Sequence, residues 1–416
     1  MAVIAMRNAP VKGSLKGATH LGTIAEMNRS IYILSAGMFA LGLDAYVIAG
    51  ILPSIAGSFE ITVSAAGLAV AVFTLFYAIS APVFATVLAG KSAKAILSIA
   101  LAIFASANLL SALSPHFDVF LISRALAGAG AGLFSPSAAA AATTLANKER
   151  HGRALGFILG GMSLGTVIGV PVGLLIADKA GWVVLFYLIA AVAVVALIGI
   201  RVAFPAFIPR PAPGLRERFN LLRDLNVLGV ILVTFFLGLA SLGLYTYTAP
   251  LLAAVDQESR LPVFLWAWGC GGIIGSFSVG HVIDRVKSKE LIIVWIAFAL
   301  LVTLAALPTF APHGFASLII FFLWGLLGWA SQAPQQHALL TMHSRHGPAS
   351  VALNSSANYL GSAVGAALGG WFLSKTGAPI FLPYAAAIPT LFALALSLIN
   401  ARNARQRCLK HNGLGS

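Results

Sequence analysis

The stretch "FALGLDAYVIAGILP" (residues 39–53) holds one charged side chain, Asp44, and no other acid lies between Glu26 and Glu60. About 20 mostly apolar residues are enough to cross a bilayer as a helix, and the run from 29 to 57 exceeds that length. The segment therefore reads as a membrane-spanning helix with a carboxylate near its middle. A charge at that depth costs about 2.5–3.5 kcal/mol on insertion scales, so Asp44 calls for a reason. The rest of the chain agrees with the class. Of 416 residues 59% are apolar and 9% charged, where a soluble domain carries about 25% charged. The mean hydropathy is +0.93. The expected fold class is an all-α integral membrane protein.

Apolar runs recur along the chain. They predict twelve transmembrane helices, at 29–57, 63–89, 94–114, 118–145, 152–177, 182–203, 226–254, 261–283, 290–309, 314–340, 349–374 and 379–400. The net charge of +14 does not mark a nucleic-acid binder, because its placement follows the positive-inside rule. With both termini cytoplasmic, only Lys179, Arg260 and Lys375 of the 26 Lys and Arg fall on the outer side, and Arg124 lies within a span. The acids divide almost evenly between the sides. The predicted location is a bacterial inner membrane, multi-pass, with both termini inside. The polar, mildly basic start of the chain is not expected to be a cleavable leader. Two cysteines, Cys270 and Cys408, give no disulfide framework.

Residues 204–225, "FPAFIPRPAPGLRERFNLLRDL", hold four prolines and four arginines, and no helix of membrane length fits them. They divide a cytoplasmic tail (1–28) and a six-helix bundle (29–203) from a second bundle (226–400) and a tail (401–416). The bundles repeat at one constant offset, that from Phe39 to Phe235. "FALGL" (39–43) matches "FFLGL" (235–239), Gly132 and Ser135 match Gly328 and Ser331, and Gly165, Gly169, Gly173 and Gly181 match Gly361, Gly365, Gly369 and Gly377. Asp44 and Arg124 break the repeat, facing Ala240 and Ile320. Parallel six-helix repeats about an axis normal to the membrane are a transporter design, with substrate near the midplane between the halves.

Asp44 is the candidate proton-loading group, a carboxyl able to take and release a proton as its surroundings alternate. Arg124 is the second ionisable residue inside a span. It lies nearer the outer face than Asp44, so it either reaches across to it or bonds a backbone carbonyl. In helix five, Gly165, Gly169 and Gly173 share one face and permit close approach, while Pro171 bends the helix. Gly361, Gly365 and Gly369 repeat that face in helix eleven. Both faces are expected at the sliding interface between halves. After helix eight, Asp284 and Arg285 suit a turn whose acid pairs with a base, while the matching loop after helix two keeps Gly90, Lys91 and Lys94 without an acid.

Candidate substrate contacts are Tyr46, Tyr245, Tyr247, Trp329, Gln332, Gln336, Asn354 and Asn358. Tyr245 and Tyr247 diverge by about 200° around a helix, so only one of them can face a cavity. The histidines of "HSRH" (343–346) lack carboxylate partners, and no metal site is expected. No phosphate-binding loop of the form GxxxxGK[ST] occurs, and no nucleophile–base pair marks an enzyme.

The segments "GLDAYVIAGILPSIA" (42–56), "SRALAGAGAGL" (123–133), "GVPVGLLIADKAGW" (169–182), "LYTYTAPLL" (244–252) and "WGLLGWASQAPQQHALL" (324–340) resemble the major facilitator superfamily. Within it they look like the bacterial drug:proton antiporter branch that includes arabinose-type and purine-type efflux permeases. The resemblance covers about residues 30–400. It implies that Asp44 is the helix-one acid used in proton coupling. It also implies that Arg124 and Gly128 form the helix-four RxxxG pattern linked to proton transfer, and that Gly156, Gly165, Gly169 and Pro171 form the helix-five antiporter motif. The chain departs from the pattern at Val170, which separates the usual Gly-Pro pair, and at Ala45, where some relatives place the acid. The expected activity is proton-coupled export of a small drug, sugar or purine by alternating access, with the proton as coupling ion and no other cofactor. An importer or facilitator of the same fold is the alternative. The expected partners are cargo and lipid, with a monomer as the working unit.

Overall fold

The computed structural model describes residues 14–88, 90–146, 151–208, 217, 220–286, 290–342 and 347–413. Residues 1–13, most of the linker (209–216 and 218–219), the loop lysines 287 and 289, and "HSRH" at 343–346 lie outside them. The described residues form helices and no strands. In chain order the long helices are α1 (Ser14–Ser58), α2 (Leu68–Val87, preceded by a turn Val63–Ala66), α3 (Ala93–Ala112), α4 (Phe117–Leu145), α5 (His151–Leu164, a π turn Gly165–Gly169, then Val170–Ala180) and α6 (Trp182–Ala203). Beyond the linker come α7 (Leu225–Tyr245, then Thr248–Ala253), α8 (Leu261–Arg285), α9 (Glu290–Phe310), α10 (Gly314–Ala330, continued by Gln332–Met342), α11 (Gly347–Thr376) and α12 (Leu382–Gly413).

Eleven of these are long and apolar enough to cross a membrane. The remaining one, α11, has 30 residues but carries Ser350, Asn354, Ser355, Ser356, Asn358 and Ser362. Its position explains how such a helix is accommodated. It lies between α7 and α2 and turns Ser350, Asn354 and Ser362 inward. Leu360, Leu368 and Trp371 form its exposed side, so lipid meets an apolar face.

Both halves pair their helices alike. In the first, α1 packs on α5 and α6, α2 on α4, and α3 on α4 and α6; in the second, α7 packs on α11 and α12, α8 on α10, and α9 on α10 and α12. The match extends to atoms. A Cβ on Gly165 would strike the Phe39 carbonyl and the Leu43 nitrogen, and one on Gly361 would strike the Phe235 carbonyl and the Leu239 nitrogen. The turns after α5 and α11 rest on Gly181 (φ 87°) and Gly377 (φ 62°), where a side chain would be strained. The halves meet mainly through α2 against α11 and α5 against α8, contacts that the two-fold relation exchanges.

The glycine faces correct an expectation. Gly165, Gly169 and Gly173 face α1 and α6 of their own half, and Gly361, Gly365 and Gly369 face α7 of theirs. They are seams within each half and not the sliding surface between halves. The close approach they allow is needed where α1 and α7 cross their partner helices, backbone against backbone. On α5 the cross-half contacts come from Val167, against Gly269 of α8, and from the segment Val170–Ala180. Pro171 follows Val167 and lacks an N–H. The π turn in front of it takes up the misfit, with the Val170 N–H reaching back to the Gly165 carbonyl.

Candidate functional site

Helix α1 buries Leu41, Leu43, Val47, Ile48 and Ile51, and the same packing draws Asp44 inside. Its side chain is fully buried, as is that of Arg124 on α4, and Arg124 Nη1 stands 3.0 Å from Asp44 Oδ1. Arg124 therefore does reach across the depth that separates the two residues along their helices. Asn108 on α3, also fully buried, joins them. Its amide nitrogen donates to Asp44 Oδ2 (3.5 Å) and to the Phe104 carbonyl (3.0 Å), and its oxygen accepts from Arg124 Nη1 (3.5 Å). Two aromatic rings cover the guanidinium, Phe73 of α2 at 4.6 Å and Phe186 of α6 at 5.5 Å from ring centre to Cζ. This is the one ion pair among the described residues.

Burying such a pair is justified energetically only when geometry and neighbouring hydrogen bonds are good, and removing one partner costs about 3–5 kcal/mol. The group can hold a proton on Asp44 or a carboxylate against Arg124, and moving between the two changes the charge inside the first half alone. At the repeat-related positions of the second half stand Ala240, Leu304 and Ile320, none of them polar. Sequence reasoning singled out Asp44 and Arg124 but passed over Asn108. The available signal was a lone amide in "LAIFASANLLSA" (101–112), an otherwise apolar helix.

Asp44 does not open onto the space between the halves. Its neighbours on α1 do. A cavity of about 20 Å³ lies there, lined by Ala45, Tyr46, Thr74, Tyr245, Tyr359 and Ser362 among others. Tyr46, one of the lining residues, has its ring centre 5.5 Å from that of Tyr245, 5.7 Å from Trp268 and 6.1 Å from Trp329. The Tyr245 hydroxyl donates to the Tyr46 carbonyl at 3.3 Å, joining the halves. One turn along α2 from Thr74, Tyr77 stacks on Tyr359 of α11, ring centres 3.8 Å apart.

Of the paired tyrosines on α7, Tyr245 faces the cavity. Tyr247 points away from it, donates to the Ala366 carbonyl at 2.6 Å, and fills the notch between Gly67, just before α2, and Gly370 of α11. Trp329 lies over Gly272 of α8. Gln332 donates to Asn358 at 3.1 Å, and Gln336 is half-buried on the same helix. Asn354 turns into the second half, where its oxygen accepts from the Thr234 hydroxyl at 2.6 Å. Gln335, which sequence reasoning passed over for its neighbour Gln336, completes that cluster. With its amide oriented to satisfy both ends, it donates to the Val230 carbonyl (3.2 Å) and accepts from the Thr234 backbone N–H (3.2 Å). Asp284 and Arg285 are exposed at the end of α8. Among the described residues no group of three or more His, Cys, Asp or Glu could hold a metal ion.

Two matched helical halves closing on a central cavity, with one ionisable pair buried in one of them, define a membrane transporter and not an enzyme. The chain belongs to the major facilitator superfamily, whose sequence pattern matches residues 34–349. It is 30% identical to the uncharacterized MFS-type transporter YfhI of Bacillus subtilis, over 88% of this chain and 92% of that one. It is 28% identical to a chloramphenicol resistance protein of Streptomyces lividans, over 72% of this chain and 78% of that one. Among solved structures it shares the fold of a bacterial homologue of the human lysosomal transporter Spinster, in an inward-facing and unoccupied conformation. That match has a TM-score of 0.69 at 15% identity and covers 91% of this chain and 97% of that one.

Proposed function

We propose that this protein is a proton-coupled antiporter of the drug:proton branch, exporting a small organic molecule across a bacterial inner membrane, with both termini cytoplasmic and the monomer as the working unit. The observation that carries the reading is the buried Asp44–Asn108–Arg124 group, set in one half and replaced by apolar residues in the other. A structural ion pair would serve equally well in either half or in both. A proton store needs only one.

In this reading a proton from outside neutralises Asp44 and releases Arg124 from its partner. The change in charge reorders α1, whose Tyr46 carbonyl holds the second half through Tyr245. Cargo leaves outward as the halves rock. The name of the Streptomyces relative, a resistance protein, supports the outward direction, as does the antiporter-like helix-five motif at Gly165, Gly169 and Pro171. The test is transport in vesicles with an imposed pH gradient. Wild type accumulates cargo against an opposing proton flux, and Asp44→Asn folds but gives no gradient-driven movement. Undiminished coupling in that variant ends the reading.

A further inference from the structure

We infer that the cavity between the halves receives an uncharged, planar aromatic molecule with an N–H donor on its edge, held between tyrosine rings from both halves. The inference rests on the transport reading and gives it a cargo class.

Charge comes first. No charged side chain lines the cavity. Asp44 precedes the lining residue Ala45 but points to the other side of α1, where Arg124 occupies it. Arg124 is in turn enclosed by Phe73 and Phe186. A cation entering the cavity leaves water and meets no anion, and an anion meets no cation. An anion loses its hydration without compensation, and a cation finds only ring faces, a weaker return than a carboxylate. A neutral molecule has far less hydration to lose.

Shape follows from the rings. Tyr77 and Tyr359 stack across the halves at 3.8 Å with 27° between their planes, and Tyr46 meets Tyr245 edge-on at 5.5 Å. These contacts leave about 20 Å³, room for about one water. When the halves part, ring faces that now cover each other lose their partners. A flat aromatic between them restores the π contacts, which a sugar cannot do.

Hydrogen bonding sets the edge. The hydroxyls of Thr74 and Thr246 each donate to a carbonyl of their own half, those of Val70 (2.8 Å) and Leu242 (3.3 Å), and keep these bonds when the halves part. With their protons committed, they offer lone pairs to the cavity, and a ligand N–H is the complement.

The test is titration calorimetry on the purified full-length protein in detergent, with indole, N-methylindole, N-methylquinolinium and arabinose as probes. Indole is expected to bind. N-methylindole should bind about tenfold more weakly, since it leaves an acceptor unmet, and the cation and the sugar should give no heat in the same range. Tyr359→Leu should weaken indole by about tenfold with an unchanged circular dichroism spectrum; Tyr46→Leu serves if the first variant does not fold. Tighter binding of N-methylquinolinium than of indole, equal binding of the two indoles, no binding of indole, or wild-type affinity in the folded tyrosine variant overturns the inference. No gradient is imposed here, so this result and the vesicle assay fail independently.

Discussion

The two halves pack the same helices together, yet each gathers a buried polar cluster at positions where the other is apolar. In the first half Asp44, Asn108 and Arg124 meet at mid-depth, opposite Ala240, Leu304 and Ile320 in the second. In the second half Thr234, Gln335 and Asn354 meet, opposite Met38, Ala139 and Ile158 in the first. At 1.5 Å per residue this second cluster sits about 9 Å nearer the end of the bundle that carries the chain termini. The repeat thus conserves the backbone seams, and the two copies differ in what they keep inside. Only the first cluster contains groups that can change charge.

The sharpest way to break this comparison is to give the first half the residues of the second. Arg124→Ile alone strands a buried carboxylate and should lower stability by about 3–5 kcal/mol, read as a fall in the melting temperature in detergent. The triple variant Asp44→Ala, Asn108→Leu, Arg124→Ile should recover that loss and show no proton-driven transport. A triple variant less stable than Arg124→Ile would mean that the group holds the fold together and is not a store inserted into it.

The seams come next. Gly165→Leu and Gly361→Leu each push a side chain into a carbonyl of the neighbouring helix. Overpacking of this kind costs about 1–3 kcal/mol, and the two losses should be equal because the contacts are equivalent. Gly156, with no atom near a Cβ, should tolerate Ala within about 0.5 kcal/mol. Unequal losses at Gly165 and Gly361 would show that the atomic two-fold match does not carry through to energetics.

These cases show what could be read from the chain and what could not. Helix spans, the repeat and the two charges were legible because length, offset and cost are properties of the sequence. The partner of the Gly165 face was not. Four-residue spacing says that a helix comes close, but not which helix. Tyr245 and Tyr247 show the same limit, since their divergence follows from helix geometry while the choice of the one facing the cavity depends on tertiary rotation. Asn108 was missed because a lone amide in an apolar helix reads as interhelical glue, and only the approach of α1, α3 and α4 places it against two charges.

Asn108→Leu separates positioning from packing. Loss of its bonds to Asp44 and Arg124 should cost about 1–3 kcal/mol and change the pH profile of transport, with the affinity for cargo unchanged. In the Asp44→Ala, Arg124→Ile background the same substitution should be nearly neutral, because its partners are gone. An equal cost in both backgrounds would reduce Asn108 to a packing residue.

Among the buried polar groups the smaller effect is expected at the second cluster, where no group ionises. Asn354→Ile removes the nearer acceptor of the Thr234 hydroxyl, leaving the Gln335 oxygen at 2.9 Å, and should cost about 1 kcal/mol. Thr234→Met and Gln335→Ala added to it install the residues of the first half and should return most of that loss, since removing all partners of a buried network is milder than removing one. Through all three steps the pH dependence of transport should match wild type, because the proposed charge change is confined to the first half. A shifted pH profile in the triple variant would place part of the proton chemistry in the second half, and the asymmetry between Asp44 and Ala240 would then no longer mark where the proton is held.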